Sequence, residues 1–150
     1  EYAKSHPSMQ LNPLDVANGK QSVEGLTKWM LENIESSPLI YASTDADTIK
    51  QVHNILGKEQ AAELVEHTFC QLAANAKGHG VGNFIIAGGE TSGAVVNELK
   101  IKGFEIGQSI EPSVPVVTTV DKQPIKLALK SGNFGQIDFF SKAKRKLICS

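Results

Sequence analysis

Apolar positions along the chain switch repeatedly between helical spacing and short unbroken runs. MQLNP (residues 9–13) is a brief extended segment stopped by proline. In SVEGLTKWMLENIESS, Val23, Leu26, Met30 and Ile34 recur at helical spacing, with Ser22 as the N-cap. PLIYAST (38–44) reads as a buried strand ended by turn residues. DADTIKQVHNIL sets Ile49, Val52 and Leu56 on one helical face, and Gly57 parts it from a longer helix. That helix, KEQAAELVEHTFCQLAANAKG, carries Leu64 or Val65, Phe69, Leu72 and Ala76 on one face and is closed by Gly78 and Gly80. VGNFIIAGG is a strand and ETSGAVVNELKI a helix, followed by two extended pieces, GFEIGQSI and PSVPVVTTV, parted by the turn-rich EPSVP. IKLALKSGNFG is a strand running into a glycine loop, and IDFFSKAKRKLI closes the chain as a helix. Helices alternating with short apolar strands predict an α/β fold: three layers, a mainly parallel sheet, helices on both faces. No repeat, low-complexity tract or linker interrupts the pattern, so the chain reads as one domain.

Two strands run into glycine loops, and these carry the candidate chemistry. In IIAGGETSGAVV the order is strand, glycine turn, helix. That order aims the N–H groups of the first helical turn, and the positive end of its dipole, at whatever occupies the loop. Gly88 and Gly89 remove side chains that would hold a ligand off the backbone, and Thr91 and Ser92 add hydroxyl donors. Such a loop suits a phosphate. It also suits a tight βα turn with Thr91 or Ser92 capping the helix, so both readings stand at this point. The run matches neither the P-loop pattern nor G-x-G-x-x-G. Glu90 either complements the dipole or holds magnesium through water. In LALKSGNFGQIDFF a second strand ends in Ser131, Gly132, Asn133 and Gly135, with Lys130 aimed at an anion or at solvent and Asp138 placed to cap the last helix. Strands ending in two such loops would share the carboxyl edge of a parallel sheet, where open α/β folds bind ligands.

Composition narrows the partners. A net charge of −1 gives no basic excess for nucleic acid or an anionic membrane, and KAKRK (142–146) reads as a solvated helix face. No apolar run reaches the ~20 residues of a membrane span. Cys70 and Cys149 match no metal spacing and read as reduced thiols of a cytoplasmic protein. His6, His53, His67 and His79 lack the paired spacing of a zinc site. EYAKSHP reads as the last turn of a helix with no cap before it, which points to a fragment of a longer chain.

AGGETSGAVV, GFEIGQSIEPSVP and LALKSGNFGQIDFF, in that order and spacing, resemble the C-terminal nucleotide-binding domain of the four-carbon acid sugar kinases, which include 3-oxo-tetronate 4-kinase and the threonate kinases. HPSMQLNP and PLIYAST resemble upstream segments of that family, so the resemblance spans nearly the whole chain; VVTTVDKQPIK departs from it most. It implies that residues 1–150 are the nucleotide-binding C-terminal domain of a two-domain kinase whose N-terminal sugar-acid domain lies outside this chain. The implied reaction moves the γ-phosphoryl group of ATP to the terminal hydroxyl of a four-carbon sugar acid, with Mg2+ bridging the phosphates. Gly88, Gly89, Glu90, Thr91 and Ser92 would line the phosphates, and Gly132, Asn133 and Gly135 would form the facing wall. No side chain here is assigned as a metal ligand, and no residue is assigned as the catalytic base, which is expected in the N-terminal domain along with most of the sugar-acid contacts. By this reading the isolated chain binds nucleotide weakly and catalyses nothing, and a homodimer is left open. A non-catalytic domain binding a nucleotide or a phosphometabolite, and a purely structural domain with tight βα turns, are the rival readings.

Overall fold

The computed structural model describes residues 1–132 and 135–149. They form two compact units, Ala3–Leu72 and Glu1–Tyr2 with Ala73–Ser150. The sequence shows no linker because the division falls within one continuous helix.

In the first unit, strand β1 (Ser8–Gln10) is followed by helices α1 (Pro13–Ala17) and α2 (Val23–Glu32), strand β2 (Leu39–Tyr41), α3 (Ala46–Leu56) and the start of α4 (Lys58–Gly78). The caps explain the helix starts. Asn12 accepts from the Leu14 N–H with Pro13 at the first helical position, and Ser22 Oγ accepts from the Gly25 N–H at 3.1 Å. Asp45 accepts from the Asp47 and Thr48 N–H groups, and Gly57 (φ +82°) ends α3. The crossover through α1 and α2 allows β1 and β2 to pair parallel, Met9 opposite Ile40. Leu11, Leu26 and Leu72 form the core, backed by Met9, Val23, Ile40, Val65 and Phe69. Ile49, expected on the buried face of α3, is 41% exposed, whereas Val52 is buried.

The second unit contains β3 (Asn83–Ala87), α5 (Gly89–Glu98), β4 (Phe104–Glu111), β5 (Val114–Thr119), β6 (Lys126–Lys130) and α6 (Phe139–Cys149). Its four strands stand in the order β3-β6-β5-β4. Only β3 and β6 pair parallel; β6 with β5 and β5 with β4 are antiparallel. The α/β class therefore holds, while the sheet is mixed rather than mainly parallel. The cause is connection length. Pro112-Ser113 is a two-residue hairpin turn, with Ser113 at φ +65°, and only residues 120–125 join β5 to β6. Neither link is long enough for the crossover that a parallel pair requires. Nevertheless β3, β6 and β4 all run in one direction, with β5 reversed between the last two. Ala87, Lys130 and Glu111 thus end three strands at one edge.

Successive β6 residues face opposite sides of the sheet, and both Leu127 and Ala128 are fully buried, so each face is covered. On the Ala128 side, Phe139, Ala143 and Leu147 of α6 pack with Val116, Ile85 and Ile110. Both cysteines are free, Cys70 buried and Cys149 exposed. No described helix is long and apolar enough to cross a membrane.

Candidate functional site

The register between β3 and β6 sets the site. Ala87 lies opposite Lys130, and the Gly88 N–H extends the ladder by bonding the Lys130 carbonyl at 2.8 Å. Both glycine loops therefore leave the sheet side by side, as expected from their shared edge. Gly88 takes φ +116° and ψ 126°, a conformation reserved for glycine, and turns the chain from strand into helix. A Cβ on Gly88 would lie 3.4 Å from Thr91 Oγ1.

Helix α5 starts at Gly89 with no side-chain cap. Thr91 and Ser92 are its third and fourth residues, so the capping role left open for them is not the one they play. The first helical bond runs from the Ser92 N–H to the Gly88 carbonyl at 2.8 Å. The N–H groups of Gly89, Glu90 and Thr91 lie ahead of it, where helical bonding has no partner for them. Ser92 is 8% exposed, and its hydroxyl donates to the Ile86 carbonyl at 3.4 Å, tying the helix to its strand. Glu90 is exposed and Thr91 half-buried.

Gly89 differs from its neighbour. Its φ lies outside the left-handed region, and a Cβ there would meet nothing nearer than Ser131 Cβ at 3.7 Å, an ordinary contact. Neither backbone conformation nor packing demands glycine at this position. What the missing side chain leaves open is the space between the helix start and the second loop.

In that second loop Gly132 has φ +64° and Gly135 φ +112°; Asn133 lies outside the described residues. Lys130 is half-buried and bonds within the protein. Its Nζ donates to the Gly132 carbonyl at 2.8 Å and stands 5.7 Å from the centre of the Phe139 ring. Gly135 is packed from within the protein: a Cβ would come within 2.9 Å of both Glu111 Oε2 and Lys130 Cε. Glu111 itself accepts from the Gln136 N–H at 3.4 and 3.3 Å and from Lys142 Nζ at 3.2 Å. Lys142 also pairs with Asp138 at 2.9 Å. The Lys142 hydrogen bond holds the Asp138 carboxyl below the usual carboxylate range, and Asp138 followed by Glu111 pushes the Lys142 ammonium up. Within KAKRK, then, Lys142 and Lys146 bond to strand β4, at Glu111 and Gln108, instead of facing only solvent.

The sequence reading missed Glu111, because its partners lie 25 and 31 residues on. It also left Ser131, the residue nearest Gly89, outside the set of expected contacts. Among the described residues no group of three or more His, Cys, Asp or Glu side chains is placed to hold a metal ion. Chemically, the edge offers uncapped backbone donors, a bare helix start and exposed hydroxyl and carboxylate groups.

Comparison with known proteins gives this edge a context. The family described as "Nucleotide-binding C-terminal domain" matches residues 1–140. The chain is 45% identical over 146 residues to a 3-oxo-tetronate kinase of Burkholderia multivorans, covering 97% of this chain and 34% of that protein. It is 42% identical to a 3-oxo-tetronate kinase of Haemophilus influenzae, covering 96% of this chain and 35% of the other. The crystal structure of a Haemophilus influenzae protein superimposes with a TM-score of 0.90 at 42% identity, over 97% of this chain and 36% of that one. The chain spans about a third of the length of the curated relatives it matches.

Proposed function

The chain belongs to the nucleotide-binding C-terminal domain family, and from that membership we propose that it is the ATP-holding part of a kinase acting on the terminal hydroxyl of a four-carbon sugar acid such as 3-oxo-tetronate. The relatives' names support the substrate class. The observation that carries the site is Gly89: glycine where the fold permits a side chain, at an uncapped helix start, beside the second loop.

In this reading the N–H groups of Gly89, Glu90 and Thr91 hold phosphate oxygens, with the helix dipole adding to the attraction. Gly132 and Gly135 frame the opposite wall, and Ser131 stands between. The side chain of Ser92 maintains the turn, so its contribution to the phosphates is indirect. Mg2+ would neutralise phosphate charge when bound, and the exposed Glu90 carboxylate would hold it through water. The sugar acid and the base that orients its hydroxyl belong to the remainder of a two-domain protein.

An ATP-dependent kinase assay of the complete protein over a panel of tetronates and threonates tests the reading. Phosphorylation of one panel member supports it. Nucleotide binding without turnover of any acid would favour the non-catalytic reading, and absence of both would leave only a structural domain.

A further inference from the structure

We infer that Glu111 is a positioning residue for the nucleotide site, holding Gly135 and Gln136 in place from the end of β4. This rests on the nucleotide reading of the two loops. Three same-direction strands end at the site's edge. Two of them continue directly into the loops, at Ala87 and Lys130. The third ends in Glu111, next to the Pro112-Ser113 turn, a place where a carboxylate would ordinarily be solvated. Its side chain is instead 10% exposed and turned onto the loop.

The contacts show what it does there. Both carboxylate oxygens lie within bonding reach of the Gln136 N–H, immediately after Gly135. Gly135 has no side chain at the point where a Cβ would strike Glu111 Oε2 at 2.9 Å. Lys130 holds the loop's first arm through the Gly132 carbonyl, and Glu111 holds its second arm. Two charged side chains are thus used internally, one on Gly132 and one on Gln136. Backbone donors gain from being fixed beforehand, because a misplacement of about 1 Å in a positioning contact can cost on the order of a hundredfold in rate. Lys142 balances the carboxylate's charge from α6 and is itself shared with Asp138.

A brace between hairpin and helix would involve the same ion pair without affecting the ligand, so the test must separate the two roles. Steady-state kinetics and thermal denaturation of the complete protein would compare wild type with Glu111→Ala, Glu111→Gln and Lys142→Met. Glu111→Ala removes the acceptor for Gln136 and is expected to raise KM for ATP·Mg2+ about tenfold, leaving KM for the acid within about twofold. Glu111→Gln keeps an acceptor and should raise KM for ATP only about two- to threefold, which also preserves the test if the alanine variant fails to fold. Lys142→Met removes the ion pair but leaves the carboxylate on Gln136; Tm should fall while KM for ATP stays near wild type. Wild-type KM for ATP in Glu111→Ala would overturn the proposal, as would equal rises in Glu111→Ala and Lys142→Met. If the alanine variant does not fold, a KM for ATP in Glu111→Gln no higher than in Lys142→Met overturns it. Failure of the wild type to use or bind ATP would remove the nucleotide reading itself, an outcome visible before any variant is made.

Discussion

At position 88 the backbone needs φ +116°, whereas at position 89 it needs nothing that alanine cannot supply. Gly88→Ala should therefore destabilise the fold by about 1–3 kcal/mol in urea denaturation, the usual cost of forcing a side chain into such a conformation. Gly93 provides the opposite case. It lies within α5, outside the left-handed region, and a Cβ there would meet nothing within 4 Å. Gly93→Ala should stabilise by up to about 1 kcal/mol in the same experiment. From sequence alone the three glycines are alike, because neither φ nor the space around a missing Cβ is written in the residue type. Gly135 makes the same point: a Cβ there would strike Glu111 and Lys130, which its residue type does not disclose.

Among the elements, those with local signals were legible. Ser22 with the Val23-Leu26-Met30 spacing located α2, and the apolar runs located β2, β3 and β6. Helix α1 was missed although Asn12-Pro13 carries its cap and first residue, because five residues are too few to establish a period. Strand direction was the weakest point. The helix-strand alternation that predicts parallel pairing stops after α5, and the short links beyond it dictate hairpins. For α3 the cap itself gives a pH prediction. The Thr48 N–H, followed by the Thr48 hydroxyl, lowers the Asp45 carboxyl from its ordinary 3.8 to about 2. Because the folded value lies below the unfolded one, the cap's stabilisation is complete above about pH 4 and is lost as pH falls through about 2. Denaturation of wild type and Asp45→Ala across this range should show a stability gap at neutral pH that narrows in acid. A gap independent of pH would mean that the carboxylate does not act as the cap.

For the whole molecule, the step that sequence reasoning supplied was topological: two strands ending in glycine loops belong at one edge. The Ala87–Lys130 register and the Gly88 N–H bond to Lys130 show that they do. What it did not supply was Glu111, since a lone acid at a strand end has no signature when its partners are far along the chain. The central proposal is that the space left bare by Gly89, between the α5 start and Ser131, receives nucleotide phosphates. Calorimetric titration of ATP·Mg2+ into the complete protein, wild type against Gly89→Ala, addresses that space with little penalty to the fold, since a Cβ fits there. The expected result is binding by the wild type, at least about tenfold weaker binding by the variant, and closely similar thermal denaturation of the two. Equal affinities in the two proteins would contradict it.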